Sequence, residues 1–233
     1  MKVQILDKTF VPYISQEEIE AAVERLTHQM NEELKDSCPL FVCILKGAVF
    51  FFADLMENID IPHNMTFYRI SSYTGTQSSG NIRASKPFPR KVEGRTVVIV
   101  EDIVETGNSM HFLRRKLFEL GAKDVRIAAL FFKPGKCKKE LTIDYCGFEI
   151  SDEFIVGYGL DYCEQGRELP SVYQLAPENT ETIPRLKSAS SVASPMKPPL
   201  PQQSIITTTV PGILRSSRSR SYALSIEPSW NCR

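Results

Sequence analysis

The stretch Thr96-Val-Val-Ile-Val-Glu-Asp-Ile-Val-Glu-Thr-Gly-Asn-Ser109 changes chemistry twice. Its first part, Thr96-Val-Val-Ile-Val100, is β-branched and apolar with no polar alternation, which predicts a strand buried on both faces of a parallel sheet. Glu101 and Asp102 follow directly. Two adjacent carboxylates at the carboxyl end of a buried strand are costly to desolvate unless they meet a cation or hydroxyl groups. Thr106-Gly107-Asn108-Ser109 then opens a helix: Gly107 lets the backbone approach a ligand closely, the free N–H groups of a helix start suit a phosphate, and the Thr106 and Ser109 hydroxyls add donors. One short segment therefore offers acids for ribose hydroxyls or a metal and a cradle for a phosphate, a spacing that fits a ribose 5-phosphate. It lacks the GxxxxGK[ST] pattern of a P-loop. The plain alternative is a strand and a capped helix carrying surface acids.

Outward from this stretch, helix and strand signals alternate. Ser15-Gln-Glu-Glu18 is a capping-box pattern, and Ile19, Ala22, Val23, Leu26 and Met30 share one helical face after it. Phe41-Val-Cys-Ile-Leu45 reads as a short buried strand, 49–56 as a helix, 65–72 as a strand, 110–120 as a helix closed by Gly121, and 125–132 as a strand. Phe154-Ile-Val156 is expected to be the last strand of the sheet. The alternation predicts an α/β fold with a mainly parallel central sheet flanked by helices, and ligands in such sheets sit beyond the carboxyl ends of the strands.

The 233 residues suffice for one good-sized domain, with 42% hydrophobic and 24% charged residues and a formal net charge of +0. No apolar run reaches the roughly 20 residues of a membrane span, and the N-terminus lacks the apolar stretch of a secretory signal. Six cysteines without a CxxC pair argue against a structural zinc site and a disulfide framework, so a cytoplasmic protein is expected. The composition changes near Pro177. Residues 1–176 form the expected folded domain; 177–233 are rich in Ser, Pro and Arg, bury little, and are expected to stay disordered. That tail carries seven basic and three acidic residues, so the domain before it is net acidic and does not favour a nucleic-acid partner. His28, His63 and His111 are expected to have no chemical role.

Residues 97–110 resemble the motif that binds phosphoribosyl pyrophosphate (PRPP) in type I phosphoribosyltransferases, and the chain from about 5 to 175 is most similar to the hypoxanthine-guanine branch. The resemblance implies that family's fold, with a small hood over the sheet, and a magnesium-dependent transfer of 5-phosphoribosyl from PRPP to N9 of a 6-oxopurine base. Leu45-Lys46-Gly47-Ala48 resembles the pyrophosphate loop, whose Leu–Lys peptide can be cis. Ser72-Tyr73 and the residues up to Gly80 resemble the mobile loop that closes over the site. By the same resemblance Lys133 reads the 6-oxo group, Phe154 stacks on the base, and Ile155 addresses the purine edge through its backbone. Glu101 and Asp102 hold the ribose hydroxyls and help organise magnesium, Asp161 is a magnesium ligand, and Arg167 binds pyrophosphate with Lys46 and Gly47. The 5-phosphate falls to Glu105, Thr106, Gly107, Asn108 and Ser109. A homodimer or homotetramer is implied, with no membrane partner.

The chain departs from the family pattern at Glu105, where an aspartate that handles the N7 proton is usual, and at Asn108 and Ser109, where lysine and threonine are commoner. Glutamate keeps the carboxylate and adds a methylene; misplacing a catalytic group by about 1 Å can cost about a hundredfold in rate. Two further readings therefore stay open: a PRPP-binding regulator with the same fold and little catalysis, and an enzyme for xanthine or adenine. Lys133 favours a base with an acceptor oxygen, which adenine lacks.

Overall fold

The computed structural model describes residues 1–72, 82–84, 88 and 91–177. Its spine is the strand β6, Thr96–Val104, which pairs in parallel with β3 (Leu40–Leu45) on one side and β7 (Asp124–Phe132) on the other. Outside these lie β4 (Asn64–Ser72) and, antiparallel to it, β5 (Ile82–Ala84); β8 (Tyr145–Glu149) forms the opposite edge, giving the order β5-β4-β3-β6-β7-β8. All pairings but β4–β5 are parallel.

The apolar runs are explained by what covers each face. In β3, Phe41 and Cys43 face one core while Leu40, Val42 and Ile44 face the other; in β6, Val98 and Val100 divide from Val97 and Ile99 in the same way. The first core is roofed by α1 (Gln16–Leu34) and α2 (Val49–Asn58), the second by α3 (Asn108–Glu119). Successive strand residues point to opposite faces, so a strand buried on both reads as a continuous apolar run. The expected face of α1 is the one it buries, through Ile19, Ala22, Val23, Leu26 and Met30. Its capping box is complete: the Ser15 hydroxyl accepts from the Glu18 N–H at 3.2 Å, and the Glu18 carboxylate accepts from the Ser15 N–H at 2.8 Å. At the end of α3, Gly121 has φ +87°, the left-handed conformation of a C-cap.

A second sheet, antiparallel, takes strands from both ends of the described chain: β1 (Val3–Ile5), β2 (Lys8–Ile14), β9 (Ile155–Val156) and β10 (Val172–Leu175), in the order β1-β2-β10-β9. It is the hood, with its own small core of Ile5, Phe10 and Val156. This corrects one expectation. Ile155 and Val156 are not the last strand of the main sheet; they pair with Gln174 and Tyr173 in the hood, and the edge of the main sheet belongs to β8. A short apolar run can serve either sheet, and the pairing partner, distant in sequence, decides. A second correction concerns β6, which continues through Val104, so Glu101 and Asp102 lie within the strand rather than after it.

Cys43, Cys137, Cys146 and Cys163 are free thiols, and Cys38 is disulfide-bonded. Among the described residues no helix is long and apolar enough to cross a membrane. Tyr73 and the loop after it lie outside the described residues, as does the expected tail apart from Pro177.

Ser15→Ala removes half of the capping box and leaves α1 otherwise intact. It is expected to lower unfolding stability by about 1 kcal/mol, seen in urea titration as a lower midpoint with an unchanged slope.

Candidate active site

Three chain segments meet at backbone contact around the end of β6. The first is the turn between β3 and α2, where the Leu45–Lys46 peptide is cis. The second is the acidic end of β6. A Cβ placed on Gly47 would lie 1.6 Å from Asp102 Oδ2, so the Asp102 carboxylate occupies the space that any larger residue at 47 would need. The third runs from Gly157 to Arg167. A Cβ on Gly159, whose φ is +98°, would lie 2.0 Å from the Gly47 carbonyl oxygen. Only glycine permits the approach at 159, where the neighbour is backbone; a larger residue at 47 would make the Asp102 carboxylate turn aside.

Beyond β6 the chain lines a pocket of about 250 Å³ with Glu101, Ile103, Val104, Glu105, Thr106, Gly107, Asn108, Ser109 and Met110. Gly107 caps α3 at φ +74° and offers no side chain of its own; the Thr106 hydroxyl accepts a long hydrogen bond, 3.5 Å, from the Asn108 N–H at the helix start. A Cβ there would meet Cys137 Sγ at 2.9 Å. The first turn of α3 lines the pocket with only this long Thr106 contact at its start, an arrangement that suits an anion. Every residue expected to hold the 5-phosphate lines this one space.

Among the described residues no ion pair to Glu101 or Asp102 is found, and the Asp102 carboxylate accepts from the Ile103 N–H at 2.9 Å. Dense protein around Glu101, although solvent still reaches part of its side chain, pushes its carboxyl well above the usual carboxylate range, and the neighbouring Asp102 adds to the rise. Cys43, on the adjacent strand, is pushed up to about 12 by burial, with the same two acids contributing. Among the described residues no three His, Cys, Asp or Glu side chains gather as a ready-made metal cage. Two carboxylates nonetheless fit magnesium, which commonly takes one or two of them together with substrate phosphates and keeps several waters.

The cations of the site are compensated within the chain. Lys133, 3% exposed, follows β7 and donates to Glu105 Oε1 at 2.5 Å and to the Glu153 carbonyl at 2.8 Å. Lys136 lies 3.9 Å from the same Glu105 oxygen and is ion-paired to Asp152. Next to Glu153, Phe154 is 41% exposed and packs its ring near Tyr162, edge-on at 5.9 Å, and near Phe10, tilted at 6.3 Å; Ile155 is buried. Arg167 donates to the Gly159 carbonyl at 2.6 Å and pairs with Asp161 Oδ1 at 2.5 Å. The other Asp161 oxygen accepts from the Glu164 N–H at 2.7 Å. Lys46 Nζ contacts Glu164 Oε2 at 2.7 Å.

The structure therefore brings Lys46, Gly47, Glu101, Asp102 and the 105–109 loop to one end of the sheet, links Asp161 and Arg167 to Gly47 through Gly159, and joins Lys133 to Glu105. Ser72 ends β4, and Tyr73 lies outside the described residues. Reading the sequence missed Glu164, Lys136, Asp152 and the Gly47–Gly159 contact. No spacing rule points to them, because each acts through a partner distant in the chain; the glycine at 159 was the one available signal.

The phosphoribosyl transferase domain family matches residues 14–163. A hypoxanthine-guanine phosphoribosyltransferase of Bacillus subtilis is 41% identical over 165 residues, covering 70% of this chain and 92% of that relative. The chain belongs to the hypoxanthine-guanine phosphoribosyltransferase family. Within that family it is also 36% identical to a hypoxanthine-guanine-xanthine phosphoribosyltransferase of Tritrichomonas foetus over 159 residues, 68% of this chain and 87% of that one. Its fold matches the crystal structure of a hypoxanthine phosphoribosyltransferase from Staphylococcus aureus with a TM-score of 0.69 at 34% identity, covering 73% of this chain and 93% of that one. The family's two sheets, main and hood, are those described above.

Because folding raises the proton affinity of the Glu101 carboxyl, the folded chain holds this proton where the unfolded chain has lost it. Stability must then fall as pH rises through that window. Glu101→Gln removes the term. We expect it to raise the melting temperature at about pH 8 by about 2–4 °C, roughly 1 kcal/mol after allowance for the solvent that reaches the side chain, and to lose this gain toward pH 5. Calorimetry across that range checks it; a lower melting temperature at the alkaline end would show that the carboxylate is held ionised.

Proposed function

We propose that the chain transfers 5-phosphoribosyl from PRPP to N9 of hypoxanthine or guanine, giving IMP or GMP and pyrophosphate, as an enzyme of purine salvage. The observation that supports this most is the arrangement along the end of β6. Two adjacent carboxylates, a lysine-bound acid and a helix start lined with hydroxyls follow one another within nine residues, from 101 to 109.

In this reading the backbone of 105–109, with the Thr106 and Ser109 hydroxyls, receives the 5-phosphate. Glu101 and Asp102 receive the ribose hydroxyls. Lys46, Gly47 and Arg167 take the pyrophosphate. Magnesium, when bound, neutralises charge on the departing pyrophosphate, and Glu101, Asp102 and Asp161 are the residues to hold it. An ionised carboxylate has about four lone-pair sites, so Asp161 can serve magnesium or its waters while keeping Arg167. The C1–O bond breaks ahead of attack, and N9 adds to the oxocarbenium-like carbon. Lys133 uses two of its three N–H donors within the chain, which leaves one for the 6-oxo group. Phe154, exposed at the site, stacks on the base, and the Ile155 backbone addresses its edge. Glu105, poised beside Lys133, accepts the N7 proton. The loop at Ser72 and Tyr73 closes and excludes water, which would otherwise hydrolyse the sugar. The family resemblance supports a homodimer or homotetramer.

The reading is tested by nucleotide formation from PRPP and magnesium with hypoxanthine, guanine, xanthine and adenine in turn. Turnover with hypoxanthine or guanine and little with adenine is expected. PRPP binding without turnover on any base would favour the regulator. Lys133→Met should raise KM for the 6-oxopurines by about tenfold or more, the scale of a lost charge-assisted hydrogen bond. Glu105→Asp should keep or raise kcat, because the shorter acid releases Lys133 to the base. Loss of all activity in that variant would mean that the loop is built around the longer side chain. Asp161→Asn should severely reduce magnesium-dependent turnover, and near-normal rates would remove it from the site.

A further inference from the structure

Two cations of the site converge on one oxygen. Glu164 Oε2 lies 2.7 Å from Lys46 Nζ and 3.7 Å from Arg167 Nη2. Lys46 draws the Glu164 carboxyl below the usual carboxylate range, with Arg167 contributing. Nothing in the core requires this acid: its side chain is 69% exposed and that of Lys46 53%. Arg167 is not saturated either, since its buried Nε has no hydrogen-bond partner.

The backbone that presents Glu164 is unusual. Tyr162 and Gln165 pair across a two-residue turn, the Tyr162 N–H to the Gln165 carbonyl at 2.9 Å and the reverse at 3.1 Å. Its central residues, Cys163 at φ +51° and Glu164 at φ +66°, both adopt the left-handed region. Such turns strongly favour Asn-Gly, and side chains larger than these are strained there. The strained pair aims the Glu164 carboxylate at Lys46 while its own N–H fixes Asp161.

We propose that Glu164 is an internal counter-anion of the pyrophosphate subsite. In the free protein its carboxylate takes the ground between Lys46 and Arg167; the pyrophosphate of substrate or product displaces it, and its return helps pyrophosphate leave. This rests on the reading of Lys46 and Arg167 as pyrophosphate contacts. Displacement is feasible because an exposed pair is weak and screened by salt, whereas polyvalent phosphate forms stronger charge-assisted bonds to the same cations. The acid thus weakens pyrophosphate binding and hastens product release, a step that limits turnover in many enzymes.

The test titrates inorganic pyrophosphate with magnesium into the wild-type chain, into Glu164→Gln, and into a chain carrying Cys163→Asn with Glu164→Gly, which removes the acid and relaxes the turn. Both variants should bind pyrophosphate about three- to tenfold tighter, the scale of one removed like charge near an anion site. Glu164→Gln should lower kcat more than kcat/KM for PRPP, and the double variant should melt above the wild type. Unchanged or weaker pyrophosphate binding in the variants, with a wild-type chain that turns over, overturns the counter-anion and leaves the proposed function standing. A wild-type chain that binds no pyrophosphate overturns both.

Discussion

The site depends on one contact, that between the Asp102 carboxylate and the missing side chain of Gly47. It docks the turn after β3 onto the end of β6 with the Asp102 carboxylate in the space a side chain at 47 would take. It also sets where the Gly47 carbonyl lies, against which Gly159 packs in turn. Through Gly159 it fixes Arg167, which donates to the Gly159 carbonyl, and through Arg167 it orients Asp161. A chain of backbone approaches, rather than any single strong bond, therefore holds acids and cations from three segments within reach of one ligand. Atoms so packed cannot drift by the ångström that chemistry at a reacting carbon would notice.

Charge is distributed unevenly over this frame. Lys133, Lys136, Arg167 and Lys46 each have a carboxylate partner in the free chain, so the cations are held in place before any ligand arrives. Among the described residues Glu101 and Asp102 do not, and burial beside Asp102 favours the protonated form of Glu101, which costs stability as pH rises. Preorganised cations beside an acid pair suit the ligand of the proposed function, which carries both hydroxyl groups and phosphates.

Much of this was legible in the chain itself. Thr96 to Val100 announced a doubly buried strand because β-branched residues without alternation have few other uses, and the Ser15–Glu18 box marked the start of α1 to the residue. The order Glu101, Asp102, Thr106, Gly107, Ser109 placed acids and cradle on one strand–helix junction. What escaped was non-local. Ile155 and Val156 carry the same apolar signal whichever sheet they join, and only β10, some sixteen residues later, decides between them. The first three strand residues beyond Val100 looked like loop because Glu and Asp are poor strand formers, yet the ladder to Ala129 and Phe131 carries them along. Glu164 was invisible because its meaning lies in Lys46, 118 positions away.

The continuity of β6 has an evolutionary side. From Thr96 to Val104 the strand is laddered to β7, and its first half is also laddered to β3, so the distance from the core valines to the acids is counted in fixed steps. Side-chain direction reverses with every residue along a strand, and a single inserted or deleted residue would turn Asp102 away from Gly47 and every valine away from its layer. Descendants of this chain can thus exchange one apolar residue for another along the strand, but they cannot change its length. Novelty by insertion has to enter where the backbone is not counted out in this way, at the connections around the sheet.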